Sequence, residues 1–251
     1  MDKFIKNLAR GAGAILRDGF RREIEVKHKA GFWDVVTKYD LASEKFLVDK
    51  IKRKFPGHGI LSEEGMNTKN KKNFWVMDPL DGTRNFSRGI PIFCTSIAYV
   101  RGGNVVCGAV YDPNHDELFY AQRNKGAWLG RKRLKVVETD SIAYGMSEIG
   151  WNVSTTSLAT LKKINHMVQK EHLWNINLGA VALALSYVAA GRYDFEVSVG
   201  GFPWDYSASS LIAEEAGAKV TNFRGRPFKW DVNNLVAAHP KIHKKILQYL
   251  K

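Results

Sequence analysis

Phe74-Trp75-Val76-Met77-Asp78-Pro79-Leu80-Asp81-Gly82-Thr83 is the stretch on which the reading of this chain turns. Four apolar residues in a row make a buried strand, and its end delivers Asp78. Pro79 has no N–H and is expected to end the ladder there. Asp81 follows, Gly82 permits a tight backbone, and Thr83-Arg84-Asn85-Phe86 can open a helical turn. Two carboxylates thus converge at a strand exit beside backbone N–H groups. Carboxylates and carbonyls are the hard oxygen ligands that Mg²⁺ prefers, and N–H groups at a helix start hold phosphate. Metal and phosphate sites side by side point to phosphoryl chemistry. An Asx-Pro turn with Asp81 as an ordinary helix cap is the structural alternative.

Working outward, residues 2–20 and 40–55 carry apolar residues at helical spacing, closed by Gly19 and by Pro56-Gly57. Strands are expected at 59–62, 74–78, 94–101, 105–112 and 117–123, with a polar turn at 67–73. Arg101-Gly102-Gly103-Asn104 reads as a hairpin connection. After about residue 140 the pattern alternates. Helices are expected at 157–170, 179–190, 206–216 and 241–250, and strands at 176, 195–199 and 235–238. The first part is therefore α+β and the second α/β, and with no Pro/Ser-rich linker between them they form one compact unit of two lobes, 1–140 and 141–251.

More acids sit at element ends. Ile60-Leu61-Ser62-Glu63-Glu64-Gly65 closes a strand in paired glutamates. Strand alternation sends them to opposite faces, so Glu63 enters a site and Glu64 stands behind it. Asp34-Val35-Val36-Thr37-Lys38-Tyr39-Asp40 puts Asp40 at a helix start, and Pro203-Trp204-Asp205-Tyr206 does the same for Asp205. Each acid could be only a cap.

The 251 residues carry 38 Lys+Arg against 25 Asp+Glu, a formal charge of +13. That balance suits nucleic acid, an anionic membrane, small anionic substrates or simply a lysine-rich surface. The basic runs at 69–72, 131–135, 162–163 and 241–251 are not interleaved with aromatics as in single-strand binders, so nucleic acid is disfavoured. The longest nearly apolar run, 178–191, falls short of the roughly 20 residues that span a bilayer. Two cysteines, Cys94 and Cys107, cannot make a disulfide framework; they suit a reducing, cytoplasmic setting and read as buried strand residues. Neither has an Arg six residues on, which excludes a cysteine phosphatase. The Asp-x-x-Asp spacing disfavours the Asp-x-Asp chemistry of an aspartyl-phosphate intermediate. No P-loop, dinucleotide fingerprint or zinc spacing is present.

Together, Asp34-Val-Val-Thr-Lys-Tyr-Asp40, Ser62-Glu-Glu-Gly65, Trp75-Val-Met-Asp-Pro-Leu-Asp-Gly-Thr83 with Asn85-Phe86, and Trp204-Asp-Tyr-Ser-Ala-Ser209 with Glu215-Ala-Gly217 resemble the inositol monophosphatase family of Mg²⁺-dependent, lithium-sensitive phosphatases. The wider group includes archaeal-type fructose-1,6-bisphosphatases, and the match runs in order over nearly the whole chain. The resemblance implies a layered αβαβα sandwich, a homodimer, and hydrolysis of a small polyol or sugar phosphate by activated water. It implies two or three Mg²⁺ ions. Glu63, Asp78 and the Leu80 carbonyl would hold the first, Asp78, Asp81 and Asp205 the second, and Glu63 with Glu64 a weaker third. Thr83 would orient the water, with Asp40 or Glu63 taking its proton, and the N–H groups of Gly82 and Thr83 would hold the phosphate. Asp205, Glu196 and the Gly179-Ala180-Val181 segment would meet the substrate hydroxyls, and Asp81 would also bind substrate. Lys29, with Lys27 as competitor, would be a loop lysine of the site.

Two departures bear on substrate. Glu196 precedes Asp205 by nine residues, longer than in inositol-specific members. Arg84 stands where many have an uncharged residue; either it contacts a second anionic group, favouring a bisphosphate, or it is a surface arginine. Inositol 1-phosphate is the leading substrate and fructose 1,6-bisphosphate the alternative, as a second activity or instead. Histidinol phosphate and 3′-phosphoadenosine 5′-phosphate follow. A nucleic-acid-binding protein on an inactive phosphatase scaffold is the reading from a different class.

Overall fold

The computed structural model describes every residue except 23, 30–34, 66, 69–71, 144 and 152–155, and only the backbone of Glu148 and Trp151. The start of the Asp34 motif and the middle of the polar turn at 67–73 therefore lie outside the described residues.

The first half runs α1 (Asp2–Gly19), β1 (Val26–His28), β2 (Val35–Thr37), α2 (Lys38–Lys54), β3 (Gly59–Ser62), β4 (Asn73–Asp81), α3 (Thr83–Ser87), β5 (Cys94–Arg101), β6 (Asn104–Asp112), β7 (Glu117–Gln122), β8 (Gly126–Leu129) and β9 (Lys132–Arg133). The second runs β10 (Met146–Trp151), α4 (Leu158–Glu171), β11 (Trp174–Asn175), α5 (Val181–Ala189), β12 (Phe195–Val199), α6 (Pro203–Glu215), β13 (Lys219–Thr221), β14 (Asn234–Ala238) and α7 (Pro240–Leu250).

β3 to β9 form a seven-stranded sheet in chain order, parallel only between β3 and β4. A second sheet has the order β11-β10-β12-β14-β13, parallel at β11-β10-β12 and antiparallel beyond. Alternation along β4 explains the layering. Trp75 and Met77 pack with Ile5, Leu8, Leu47 and Ile51 of α1 and α2. Phe74 and Val76 face the other way, with Leu183, Leu185, Ala208 and Leu211 of α5 and α6. Leu235 and Ala237 of β14 join that same cluster, so α5 and α6 lie between the two sheets. Phe195, Val197, Val236 and Ala238 turn to the outer side, under Ile164 and Met167 of α4 and Ile242 and Ile246 of α7. The result is the αβαβα sandwich that the motifs imply, with a core shared by both halves of the chain. The central helix lies tight on its sheet: a Cβ at Gly108 of β6 would stand 2.8 Å from the Ala208 carbonyl oxygen. Among the described residues no helix is long and apolar enough to cross a membrane.

Several expected boundaries move. β4 does not stop at Pro79; the ladder shifts register after Asp78 and resumes at Asp81 opposite Cys94. One missing N–H costs one ladder bond, not the strand. α6 begins at Pro203 rather than 206, because Pro fits the first helical position. The hairpin β5–β6 turns at Gly102-Gly103 as expected.

Candidate active site

Asp78 and Asp81 occupy the C-terminal end of β4, and both are buried. Asp78 Oδ1 accepts the Leu80 N–H at 2.9 Å. Ser43 of α2 and Thr95 of β5 both donate to the Pro79 carbonyl, at 3.0 and 3.2 Å, and so fix the irregular strand end. Gly82 follows with φ of +94°. A Cβ there would stand 2.9 Å from the Ile92 carbonyl oxygen, so only glycine makes this turn into α3 without strain.

Thr83 opens α3, and its hydroxyl lies 2.9 Å from Asp40 Oδ1 and 3.0 Å from the Leu80 carbonyl oxygen. Asp40 is not the cap of α2. Thr37 is the N-cap, and Asp40 is the third helical residue, reaching back to take the Thr37 N–H on Oδ2 at 2.8 Å. That leaves Oδ1 for Thr83. Burial raises the Asp40 pKa against the hydrogen bonds from Thr37 and Thr83, which lower it. Asp205 repeats the arrangement on α6: it is the third helical residue, and its Oδ2 accepts the Phe202 N–H at 2.7 Å. Both acids are helix-start acids, as expected, but one turn inside the cap.

Asp81 also holds a helix. Its Oδ1 accepts the Val181 N–H at 3.2 Å and its Oδ2 the Ala182 N–H at 2.8 Å. A carboxylate from β4 thus satisfies two of the free donors at the start of α5 and complements its dipole. Within the Gly179-Ala180-Val181 segment, Val181 N serves Asp81 and Gly179 N donates to Asn177 Oδ1 at 2.9 Å. Cys94 is buried, with Sγ 3.5 Å from Asp81 Oδ2; burial and the nearby Asp81 and Asp78 charges push its thiol well up.

Glu63 and Glu64 do not part to opposite faces. They sit in the turn after β3, where strand alternation no longer holds. Both accept from Lys29 Nζ, Glu63 Oε1 at 3.0 Å and Glu64 Oε1 at 2.9 Å. Burial pulls the lysine down, but the two carboxylates outweigh it and raise its pKa. Burial lifts Glu64 to about 7. Lys27 instead lies 3.9 Å from Glu25, in an exposed pair. Glu196 is buried in β12. Alternation puts it on the α6 side with Ser198, whose hydroxyl lies 3.1 Å from the Tyr206 hydroxyl. Arg84 is exposed on α3.

Asn85, two residues after Thr83, has no task that its place in the sequence reveals. Its Nδ2 donates to the Ile92 carbonyl at 2.8 Å and to the Leu178 carbonyl at 2.7 Å, which ties the β4–α3 turn to the segment before α5.

Asp78, Asp81 and Asp205 stand in one another's field. Burial first, then Glu63, Asp81 and Asp205, raise Asp78 well above the ordinary carboxylate range. Burial lifts Asp81 to about 7, and burial with the Asp81 charge raises Asp205. Among the described residues none of the three has an ion pair with Lys, Arg or His. Nor do any three acids, His or Cys close by themselves into a metal cage. The donor set nevertheless fits a hard divalent cation: backbone hydrogen bonds hold Asp78 by Oδ1 and Asp205 by Oδ2, and the other oxygen of each carries no described hydrogen bond. Three buried carboxylates in mutual repulsion call for a positive charge between them.

The whole chain, residues 1–251, matches the model of the inositol monophosphatase family. The chain belongs to the inositol monophosphatase family. A fructose-1,6-bisphosphatase/inositol-1-monophosphatase from Thermotoga maritima is 36% identical over 245 residues, covering 98% of this chain and 93% of that protein. A protein named Nus factor SuhB from Pasteurella multocida is 37% identical over 248 residues, covering 97% and 92%. The solved structure of a Thermotoga maritima IMPase superposes with a TM-score of 0.91 at 35% identity, covering 100% of this chain and 97% of that one. A more distant IMPase/NADP phosphatase of the same fold, at 24% identity and a TM-score of 0.85, was solved with Mg²⁺ and phosphate. Membership in the inositol monophosphatase family makes this chain a phosphoric monoester hydrolase.

Proposed function

We propose that the protein hydrolyses a small polyol or sugar phosphate, inositol 1-phosphate first and fructose 1,6-bisphosphate second, with Mg²⁺ as cofactor. One observation carries this reading: Asp78, Asp81 and Asp205, from β4 and α6, are buried together without a cationic side chain among the described residues, beside the Thr83–Asp40 hydrogen bond. Glu63, Asp78, Asp81, Asp205 and the Leu80 carbonyl would hold two ions, with Glu64 available to a weaker third. Bound there, Mg²⁺ supplies Lewis-acid activation of water and neutralises charge on the phosphate. Lithium sensitivity would follow from the same acids.

The chain's own groups do the rest. Thr83 Oγ1 is held by Asp40 in the position from which it can orient an attacking water. Asp40 then receives the proton, and its raised pKa makes it a stronger base than an ordinary aspartate. Glu63 is the alternative acceptor. Gly82 and Thr83 N–H groups meet the phosphate at the turn. Asp205, Glu196 and the Gly179-Ala180-Val181 segment would meet the substrate hydroxyls. Residues 1–140 would supply the metal motifs and residues 141–251 the hydroxyl end.

A second copy of the chain is the partner we infer. β11 is an edge strand, and Trp174, Ile176 and Met146 expose 69%, 44% and 37% of their surface at that edge. Trp174→Lys is expected to shift the protein from dimer to monomer in light scattering; a wild-type monomer contradicts the inference. Phosphate release from inositol 1-phosphate, fructose 1,6-bisphosphate, histidinol phosphate and 3′-phosphoadenosine 5′-phosphate tests the substrate. Arg84→Ala should lower kcat/KM on the bisphosphate alone if Arg84 meets its second phosphate.

A further inference from the structure

The basic runs that are far apart in sequence meet in the fold. α4 and α7 lie side by side on the outer face of the five-stranded sheet, packed through Ile164, Met167, Ile242 and Ile246. Their solvent side carries Lys162, Lys163, Lys170, Lys241, Lys244 and Lys245, and Lys251 follows at the end of α7. Within those two helices the only acid is Glu171. It pairs with Lys245 at 2.8 Å, and Glu138 pairs with Lys241 at 3.0 Å. Lys163 Nζ donates to the Lys251 carbonyl oxygen, and the remaining lysines have no described ion pair with an acid. A large part of the +13 is therefore concentrated on one face.

The face is also concave and carries rings. A groove of about 640 Å³ is lined by His166, Lys170, Glu171, Lys245, Gln248 and Tyr249. The His166 and Tyr249 rings lie 5.9 Å apart, and Lys170 Nζ stands 5.6 Å above the tyrosine ring. Along the sequence the basic runs lack the interleaved aromatics of a single-strand binder. The fold supplies that interleaving by setting a histidine of one helix beside a tyrosine of the other.

We propose that the α4–α7 groove binds single-stranded nucleic acid, with the lysines on phosphates and the Tyr249 and His166 rings against bases. Lysines recognise phosphate as point charges, and every base offers a π-face, so such a surface needs no particular sequence. An anionic membrane fits less well, because the one large apolar residue exposed on these helices is Leu158, the first residue of α4. The groove is separated from the carboxylate site by the five-stranded sheet, so binding there and phosphate hydrolysis should vary independently.

The test is fluorescence anisotropy of a labelled single-stranded oligouridylate with the full-length protein in EDTA, repeated across a salt series. Binding is expected to weaken with salt as counterions are released. Lys162→Glu/Lys170→Glu/Lys244→Glu should weaken it at least about tenfold and flatten the log–log salt slope by about 2, at roughly 0.7 per lost phosphate contact. Tyr249→Leu should weaken it with little change of slope. Phosphate release should stay at the wild-type level in both variants, which also shows that they fold. The same loss from Lys132→Glu/Arg133→Glu on β9, unchanged binding in the α4–α7 variants, or equal or tighter binding to phosphatidylserine vesicles would overturn the proposal.

Discussion

Asp78 is buried among Glu63, Asp81 and Asp205, whose charges and its own burial raise its pKa well above the ordinary carboxylate range. Its neighbours are acids, and it has no described cation. Asp78→Asn keeps the acceptor for the Leu80 N–H but removes one buried charge. Activity is expected to drop about a thousandfold, the equivalent of roughly 4 kcal/mol of transition-state stabilisation. The metal-free variant should nonetheless melt a few degrees higher than the metal-free wild type, about 1 kcal/mol. A lower melting temperature would mean that repulsion among these acids is not a real cost. Asn85 is the opposite case, a residue whose value lies in reach. Asn85→Ala would take one donor from each of the Ile92 and Leu178 carbonyls and should cost about 1–3 kcal/mol in urea unfolding. No local pattern announces that pairing, because Leu178 is 93 residues away. Asp40, Glu63, Asp78, Asp81 and Asp205 were legible because each ends or opens an element; the Lys29 contacts and the Asp81 bonds to α5 were not, since both depend on tertiary approach.

At the level of elements, long periodic segments were read to within a residue or two: α1, α2, α4, α7, β5, β6 and β12 stand where the apolar spacing put them. The start of α6 was missed although Pro203 is a first-turn signal, and the miss moved Asp205 from the helix interior to its edge. β8, β9 and β13 are two to four residues long, too short for any periodicity to register. α7 carries a pH-dependent cost of its own. His243 is buried against Thr221 Oγ1, 3.0 Å from Nε2. Burial first, then the Lys219 charge, brings its pKa from 6.5 down to about 4. The unfolded chain therefore binds a proton that the fold refuses, so the contribution of His243 to stability is constant above about pH 6.5 and falls as the pH drops toward 4. The destabilisation caused by His243→Gln should shrink by roughly 1–2 kcal/mol between pH 7 and pH 5. Denaturation curves showing the same difference at both pH values would contradict this.

The molecule as a whole separates its charges. The acids gather at the end of β4 and the starts of α2 and α6, between the layers. Much of the basic excess lies on the outer face of α4 and α7, across a sheet from the site. Composition showed the excess but not its placement, because the two lysine-rich helices are about seventy residues apart in the chain. If a divalent cation belongs among the buried acids, it also belongs to the stability of the fold. At a hundredfold excess over its dissociation constant, Mg²⁺ should stabilise the protein by about 2.7 kcal/mol. Differential scanning calorimetry with and without Mg²⁺ reads that shift, and Asp78→Asn should abolish it. Phosphate release from inositol 1-phosphate and fructose 1,6-bisphosphate, measured with Mg²⁺ and with EDTA, decides whether the buried acids serve a metal-dependent phosphatase. Release that requires Mg²⁺ and stops in EDTA is the expected result; release that continues in EDTA, or none from any sugar or polyol phosphate with Mg²⁺ present, would contradict it.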